Sequence, residues 1–125
     1  MILDLKPGKD DTNPATSGPV TPETQRALKC VARERCAQYT KHSWTTGHDD
    51  CIEVNNELTL GSIAYALAGI GRPMHAAMFY PWGKENCPRR DDTNPKRRGL
   101  RVLLVKAAAL LIAAIEQIDR GNVNA

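Results

Sequence analysis

Aromatic residues make up only 5% of the chain, and Phe79 is its one phenylalanine. A core short of large rings has to be built from Leu, Ile, Val and Ala, which suits closely packed helices better than a pleated sheet. The 4 cysteines, Cys30, Cys36, Cys51 and Cys87, form no C-x-x-C pair and show no zinc-type spacing. That excludes the usual structural zinc modules and leads us to expect reduced thiols in a cytoplasm. No membrane span is expected, because the apolar stretch 102–115 carries Lys106 and falls short of the roughly 20 residues a span requires. Residues 1–6 are mixed in character and run into Pro7-Gly8, unlike a signal peptide. A G-x-x-x-x-G-K phosphate loop is absent, and neither Ser43 nor Ser62 has a G-x-S-x-G context, so P-loop and serine-hydrolase chemistry are set aside.

What is present is an ordinary globular composition, 42% hydrophobic and 25% charged over 125 residues. That length fits one domain with a core of its own. The net charge of +3 is too small to argue for nucleic acid. Its distribution says more: Lys84, Arg89, Arg90, Lys96, Arg97, Arg98, Arg101 and Lys106 are opposed locally only by Glu85, Asp91 and Asp92. Such a stretch can meet phosphates, or it can be a solvated loop and first helical turn.

Residues 1–20 hold Pro7, Gly8, Pro14, Gly18 and Pro19 among polar neighbours and read as an extended arm ahead of a helical domain at 21–125. Thr21-Pro22-Glu23 has the form of a helix start, with Thr21 as cap and Pro22 at the first helical position. Leu28, Val31, Ala32, Cys36 and Tyr39 recur at helical spacing and predict a buried face on a first helix reaching about Thr40. After a loop at 42–56, a second helix is expected from about Asn55 or Asn56 to Ala68, burying Leu58, Ile63, Ala64 and Leu67. Gly61 weakens it and Gly69 with Gly71 ends it. A short helix over 72–80 would turn Met74, Ala77 and Met78 inward, and 81–94 would be a long loop. Asn94-Pro95 then opens the last helix, expected to run unbroken to Arg120 and apolar all round between Ala107 and Ile115. The fold expected is all-α, a small bundle of three to four helices with a long loop, and its last helix is apolar enough to invite a homo-oligomer. Asp10-Asp11-Thr12-Asn13-Pro14 recurs as Asp91-Asp92-Thr93-Asn94-Pro95, which reads as a reused Asx-Pro turn.

The acids carry the most chemistry. His48-Asp49-Asp50 precedes the second helix, Glu53 and Glu57 share one side of it if it starts early, and Glu116 and Asp119 share a face of the last helix. Carboxylate pairs on two helices can converge on Mg²⁺, which takes hard oxygen ligands together with water and phosphate. The alternative is that Glu116 and Asp119 form a solvated stripe at a helix end. His48-Asp49 does not complete the ligand set of the HD phosphohydrolases, because His42 lies in the same loop and not on a helix upstream. Trp44, Tyr65, Tyr80 and Trp82 can stack on a base or fill the core and its rim.

Ala32-Arg33-Glu34-Arg35-Cys36-Ala37-Gln38, Ser43-Trp44-Thr45 and His48-Asp49-Asp50 together resemble a family of small phage and prophage proteins whose pattern runs E-R-x-x-Q, G-W-T, H-D-D. Glu57-Leu58 with Tyr65-Ala66, Pro81-Trp82, and Val105-Lys106-Ala107-Ala108-Ala109-Leu110 leading to Glu116-Gln117-Ile118-Asp119-Arg120 extend the resemblance over about residues 30–120. The carboxylate layout of that family is similar to that of the all-α nucleoside triphosphate pyrophosphohydrolases of the MazG type, which hold Mg²⁺ on acidic pairs from two helices. The resemblance implies that Glu116 and Asp119 are the E-x-x-D element, and that Glu53 and Glu57, assisted by Asp49 or Asp50, are the earlier one. Ile52 and Ala114 depart from the histidine and glutamate frequent in the family.

The resulting expectation is a Mg²⁺- or Mn²⁺-dependent enzyme acting on nucleotides. Asp49, Asp50, Glu53, Glu57, Glu116 and Asp119 would hold metal, Glu57 and Glu116 would be catalytic, and Lys106, Arg101 and Trp44 would hold substrate. The rival expectation is a non-enzymatic phage accessory protein that binds a nucleotide, a nucleic acid or a host protein.

Overall fold

The structure is a computed structural model that describes residues 20–41 and 52–121, with backbone only for 39–41, 52 and 53. The expected arm, Trp44, Asp49 and Asp50 lie outside the described residues, as does the side chain of Glu53. Among the described residues five helices follow one another: α1 (Pro22–Lys41), α2 (Ile52–Gly69), α3 (Pro73–Phe79), α4 (Pro95–Arg98) and α5 (Leu100–Asp119). A single 3₁₀ turn, Lys84–Asn86, interrupts the segment between α3 and α4. The described residues form an all-α bundle without strands, and none of their helices is long and apolar enough to cross a membrane.

The centre of the bundle is the antiparallel pair α2 and α5. Its register is written by polar side chains: Asn55 Nδ2 donates to the Ala114 carbonyl at 2.8 Å and to Gln117 Oε1 at 2.9 Å, and Ser62 Oγ donates to the Ala107 carbonyl at 2.8 Å. Between these ties the interface is small and apolar. Leu58 meets Leu110, Ala113 and Ala114, and further along Ala68 and Leu103 enclose Ala76 of α3. Gly61 is more than a weak point in α2, because it seats the indole of Trp82; a Cβ there would lie 2.5 Å from the ring.

Thr21 caps α1 as expected, its Oγ1 accepting the Thr24 N–H at 3.1 Å. The buried face of α1 differs from the expected one. Leu28, Ala32 and Cys36 are exposed and Val31 is half-buried, while Arg35 and Gln38 turn inward. The reason lies on α5, whose side facing α1 carries Lys106 and Glu116. Glu34 pairs with Lys106 at 3.1 Å and Arg35 with Glu116 at 2.8 Å. Charge matching therefore overrides the apolar stripe, and the Arg35 stem supplies the apolar cover. With Cys30 opposite Arg101 and Glu34 opposite Lys106, α1 runs parallel to α5.

Two further expectations are corrected. In α3 it is Ala76 that is buried, while Met74 and Met78 are 79% and 68% exposed. A helix this short docks through the residue that allows closest approach, and alanine does so where methionine cannot. Ile63 of α2 is likewise exposed, although Leu58 and Ala64 are buried as expected.

The last helix is not continuous from Pro95: it breaks at Gly99, which adopts an extended conformation between α4 and α5. A Cβ at Gly99 would lie 2.7 Å from the Pro95 carbonyl oxygen, so the tight joint requires glycine. Asn94 precedes Pro95, but its side chain makes no capping bond. Asp91 organises that turn instead, accepting from the Thr93 N–H at 2.9 Å and the Thr93 hydroxyl at 2.6 Å. The long segment before it is held down by Arg90, whose Nη1 donates to the Gly69 carbonyl at 3.0 Å.

Candidate functional site

The antiparallel register brings the start of α2 beside the end of α5. Glu53 and Glu57 therefore sit on helix turns adjacent to those carrying Glu116 and Asp119, with Asn55 and Gln117 bonded between them. Because α2 starts at Ile52, earlier than expected, both Glu53 and Glu57 are helical and share one side.

The individual carboxylates differ. Glu57 and Asp119 are exposed. Glu116 Oε1 accepts from Arg35 Nε at 3.0 Å and Nη2 at 2.8 Å, with the Glu116 side chain 41% and the Arg35 side chain 11% exposed. That leaves Oε2 of Glu116 as its open ligand atom. Among the described residues no three of His, Cys, Asp and Glu come together closely enough to hold a metal ion. The described residues therefore do not bring Glu57, Glu116 and Asp119 together as a ligand set, and Asp49, Asp50 and the side chain of Glu53 lie outside them.

Arg101, expected to hold substrate, is exposed and directs both terminal nitrogens at Cys30 Sγ, 3.6 Å away. Lys106 stands elsewhere, in a cleft of about 300 Å³ lined by Glu34, Gln38, Tyr65, Tyr80, Trp82, Lys106 and Leu110. The sequence places Lys106 and the aromatics in separate roles, and it shows Glu34 and Gln38 only as part of the E-R-x-x-Q resemblance, with no site role. The signal that linked them was present: Glu34 and Gln38 are spaced by one helical turn on α1, and Lys106 and Leu110 are spaced alike on α5.

One wall of the cleft is aromatic. Tyr65 and Tyr80 meet edge-on with centroids 6.3 Å apart, and Tyr80 and Trp82 do so at 5.4 Å. Burial, and then the neighbouring Tyr80, push the Tyr65 phenol above the ordinary tyrosine range. Burial also raises Tyr80. Both are neutral phenols at physiological pH, able to donate as well as accept. Opposite them, Gln38 is only 4% exposed, and its Oε1 has no hydrogen-bond partner among the described residues. Cys87, beside Tyr80, is raised by burial against the opposing pull of Arg89 and is a poor nucleophile.

No family model, curated protein or solved structure matches this chain.

Proposed function

We propose that this protein is a nucleoside triphosphate pyrophosphohydrolase dependent on Mg²⁺ or Mn²⁺, acting at the end of the bundle where α2 begins and α5 ends. The observation that carries this reading is the α2–α5 register, in which the helix turns bearing Glu53 and Glu57 run beside those bearing Glu116 and Asp119. Glu116 Oε2, Asp119, Glu53 and Glu57, with Asp49 or Asp50, would hold the ion. When bound, such an ion would supply Lewis-acid polarisation of a phosphoryl oxygen and acidification of a water. Glu57 and Glu116 orient the attacking water, and Arg35, buried beside Glu116, lies where it can balance the added negative charge of a triphosphate. The test is release of phosphate and pyrophosphate from a panel of ribo- and deoxynucleoside triphosphates with Mg²⁺, Mn²⁺ or EDTA. Pyrophosphate with a monophosphate product, lost in EDTA, supports the reading; a folded protein silent on the whole panel refutes it.

A second reading, binding without turnover by a phage-type accessory protein, is favoured by the Arg35–Glu116 pair, which already occupies one carboxylate oxygen. In its nucleic-acid form the exposed Lys96, Arg97 and Arg98 of α4 would meet phosphates, and binding would fall steeply with salt. Binding indifferent to salt would remove that form and leave a host protein as partner. Self-association fits either reading, since α5 leaves Leu104, Leu111, Ile112 and Ile115 exposed for a second copy to cover. Sedimentation of the chain and of Ile115→Lys checks it. A cytoplasmic setting agrees with Cys30 and Cys87, which form no disulfide among the described residues.

A further inference from the structure

We infer that the cleft between α1, α2, α5 and the Tyr80–Trp82 segment is a binding site for the flat heterocyclic ring of a nucleobase, recognised by the Gln38 amide. The inference deepens the nucleotide reading above and rests on it for the identity of the ligand, but it concerns a different part of the molecule from the acidic end.

Size is the first constraint. About 300 Å³ is at the lower limit for small-molecule sites, enough for a base and part of its sugar and too small for a polymer. The second is the aromatic wall. Trp82 is held edge-on by Tyr80, and Tyr80 by Tyr65, and the face of Gly61 receives the far edge of the indole. Rings fixed in this way offer a preformed surface to a planar ligand, and every base has a π-face to lay against it.

Gln38 supplies the selectivity. Buried polar groups are ordinarily paired, yet Gln38 Oε1 has no partner among the described residues. A ring N–H or an exocyclic amine would satisfy it, and the adjoining amide N–H can donate to a neighbouring ring acceptor. Paired donor and acceptor edges of this kind are what distinguish bases from one another. An aliphatic or purely hydrocarbon ligand would leave the oxygen unpaired. Lys106 uses one ammonium donor on Glu34 and keeps others for sugar oxygens.

The position of the cleft agrees with its proposed ligand. Leu110 at its floor and Glu116 at the acidic end lie on the same helix, separated by roughly 9 Å at 1.5 Å per residue. A nucleoside seated at Leu110 would therefore send its phosphates past Arg35 toward Glu116.

The experiment is calorimetric titration of the whole chain, in EDTA, with adenosine, guanosine, cytidine and thymidine, none of which carries phosphate. At least one nucleoside is expected to bind saturably, and Gln38→Met, close in shape but without the acceptor, should weaken it at least tenfold. Failure of every nucleoside to bind the folded wild type, or an unchanged affinity in Gln38→Met, overturns the inference. Should Gln38→Met not fold, the wild type decides by NMR: the Gln38 side-chain amide and Trp82 indole signals must move on nucleoside addition, and their standing still overturns it equally. Nucleoside binding without pyrophosphate release would sustain this site and sink the hydrolase. Pyrophosphate release without nucleoside binding would do the reverse.

Discussion

Asn55 donates to Gln117 Oε1 at 2.9 Å across the α2–α5 interface, and both side chains are buried. The same Asn55 nitrogen also reaches the Ala114 carbonyl, so a single amide fixes how far one helix is advanced along the other. Replacing Asn55 with Leu would remove the buried donor that both acceptors share. We expect a loss of about 1–3 kcal/mol, read from urea melts, together with loss of any activity that depends on the acidic ends being level. Unchanged stability would mean that apolar packing alone sets the register.

Gly61→Ala tests the seat of Trp82. Alanine is the better helix former by about 1 kcal/mol, which by itself predicts stabilisation. Its Cβ, however, would lie 2.5 Å and 2.6 Å from two carbons of the indole, and the ring is backed by Tyr80. The clash should win, with a net cost of about 1–3 kcal/mol and a shift of the Trp82 fluorescence. A higher melting temperature for Gly61→Ala would show that the ring moves freely and that the cleft wall is not preformed.

These positions also show what the sequence could and could not disclose. Some helix ends were readable because they depend on neighbours in the chain: Thr21-Pro22 opened α1 and Gly69 closed α2 as expected. The break at Gly99 was not foreseen, since the apolar pattern runs on from Pro95 to Arg120 and only the close approach of the Pro95 carbonyl makes glycine obligatory there. The face a helix buries is set by its partner, and there the reading failed. Arg35 and Gln38 are inside because Lys106 and Glu116 stand opposite, a fact that apolar spacing along α1 cannot contain. For the same reason Glu116 was legible as a candidate carboxylate while its partner Arg35 was not.

Tyr65 gives a prediction in pH. Its folded pKa lies above the 10.0 of the free side chain, chiefly through burial. The unfolded chain therefore ionises Tyr65 first, so this contribution is complete below about pH 10 and declines as pH rises toward the folded value. Denaturant melts at neutral pH and above about pH 10 should show an alkaline loss of stability that shrinks in Tyr65→Phe. An identical alkaline slope would mean that the phenol is accessible to hydroxide, contrary to its burial.

Glu116→Gln separates a catalytic role from a structural one. The side chain is 41% exposed and its ion pair with Arg35 is partly screened, so the pair contributes at most about 1 kcal/mol. Glutamine keeps the shape and can still accept from Arg35 through its amide oxygen, which protects the α1–α5 contact. What it removes is negative charge and the second carboxylate oxygen, the atom that a cation would use. Melting should therefore change by only a few degrees while pyrophosphate release falls to background. If both fell together, Glu116 would be a structural partner of Arg35. If melting and turnover both survived, Glu116 would lose its place in the proposed site, and the remaining acids, Asp49 or Asp50, Glu53, Glu57 and Asp119, would have to carry the metal without it.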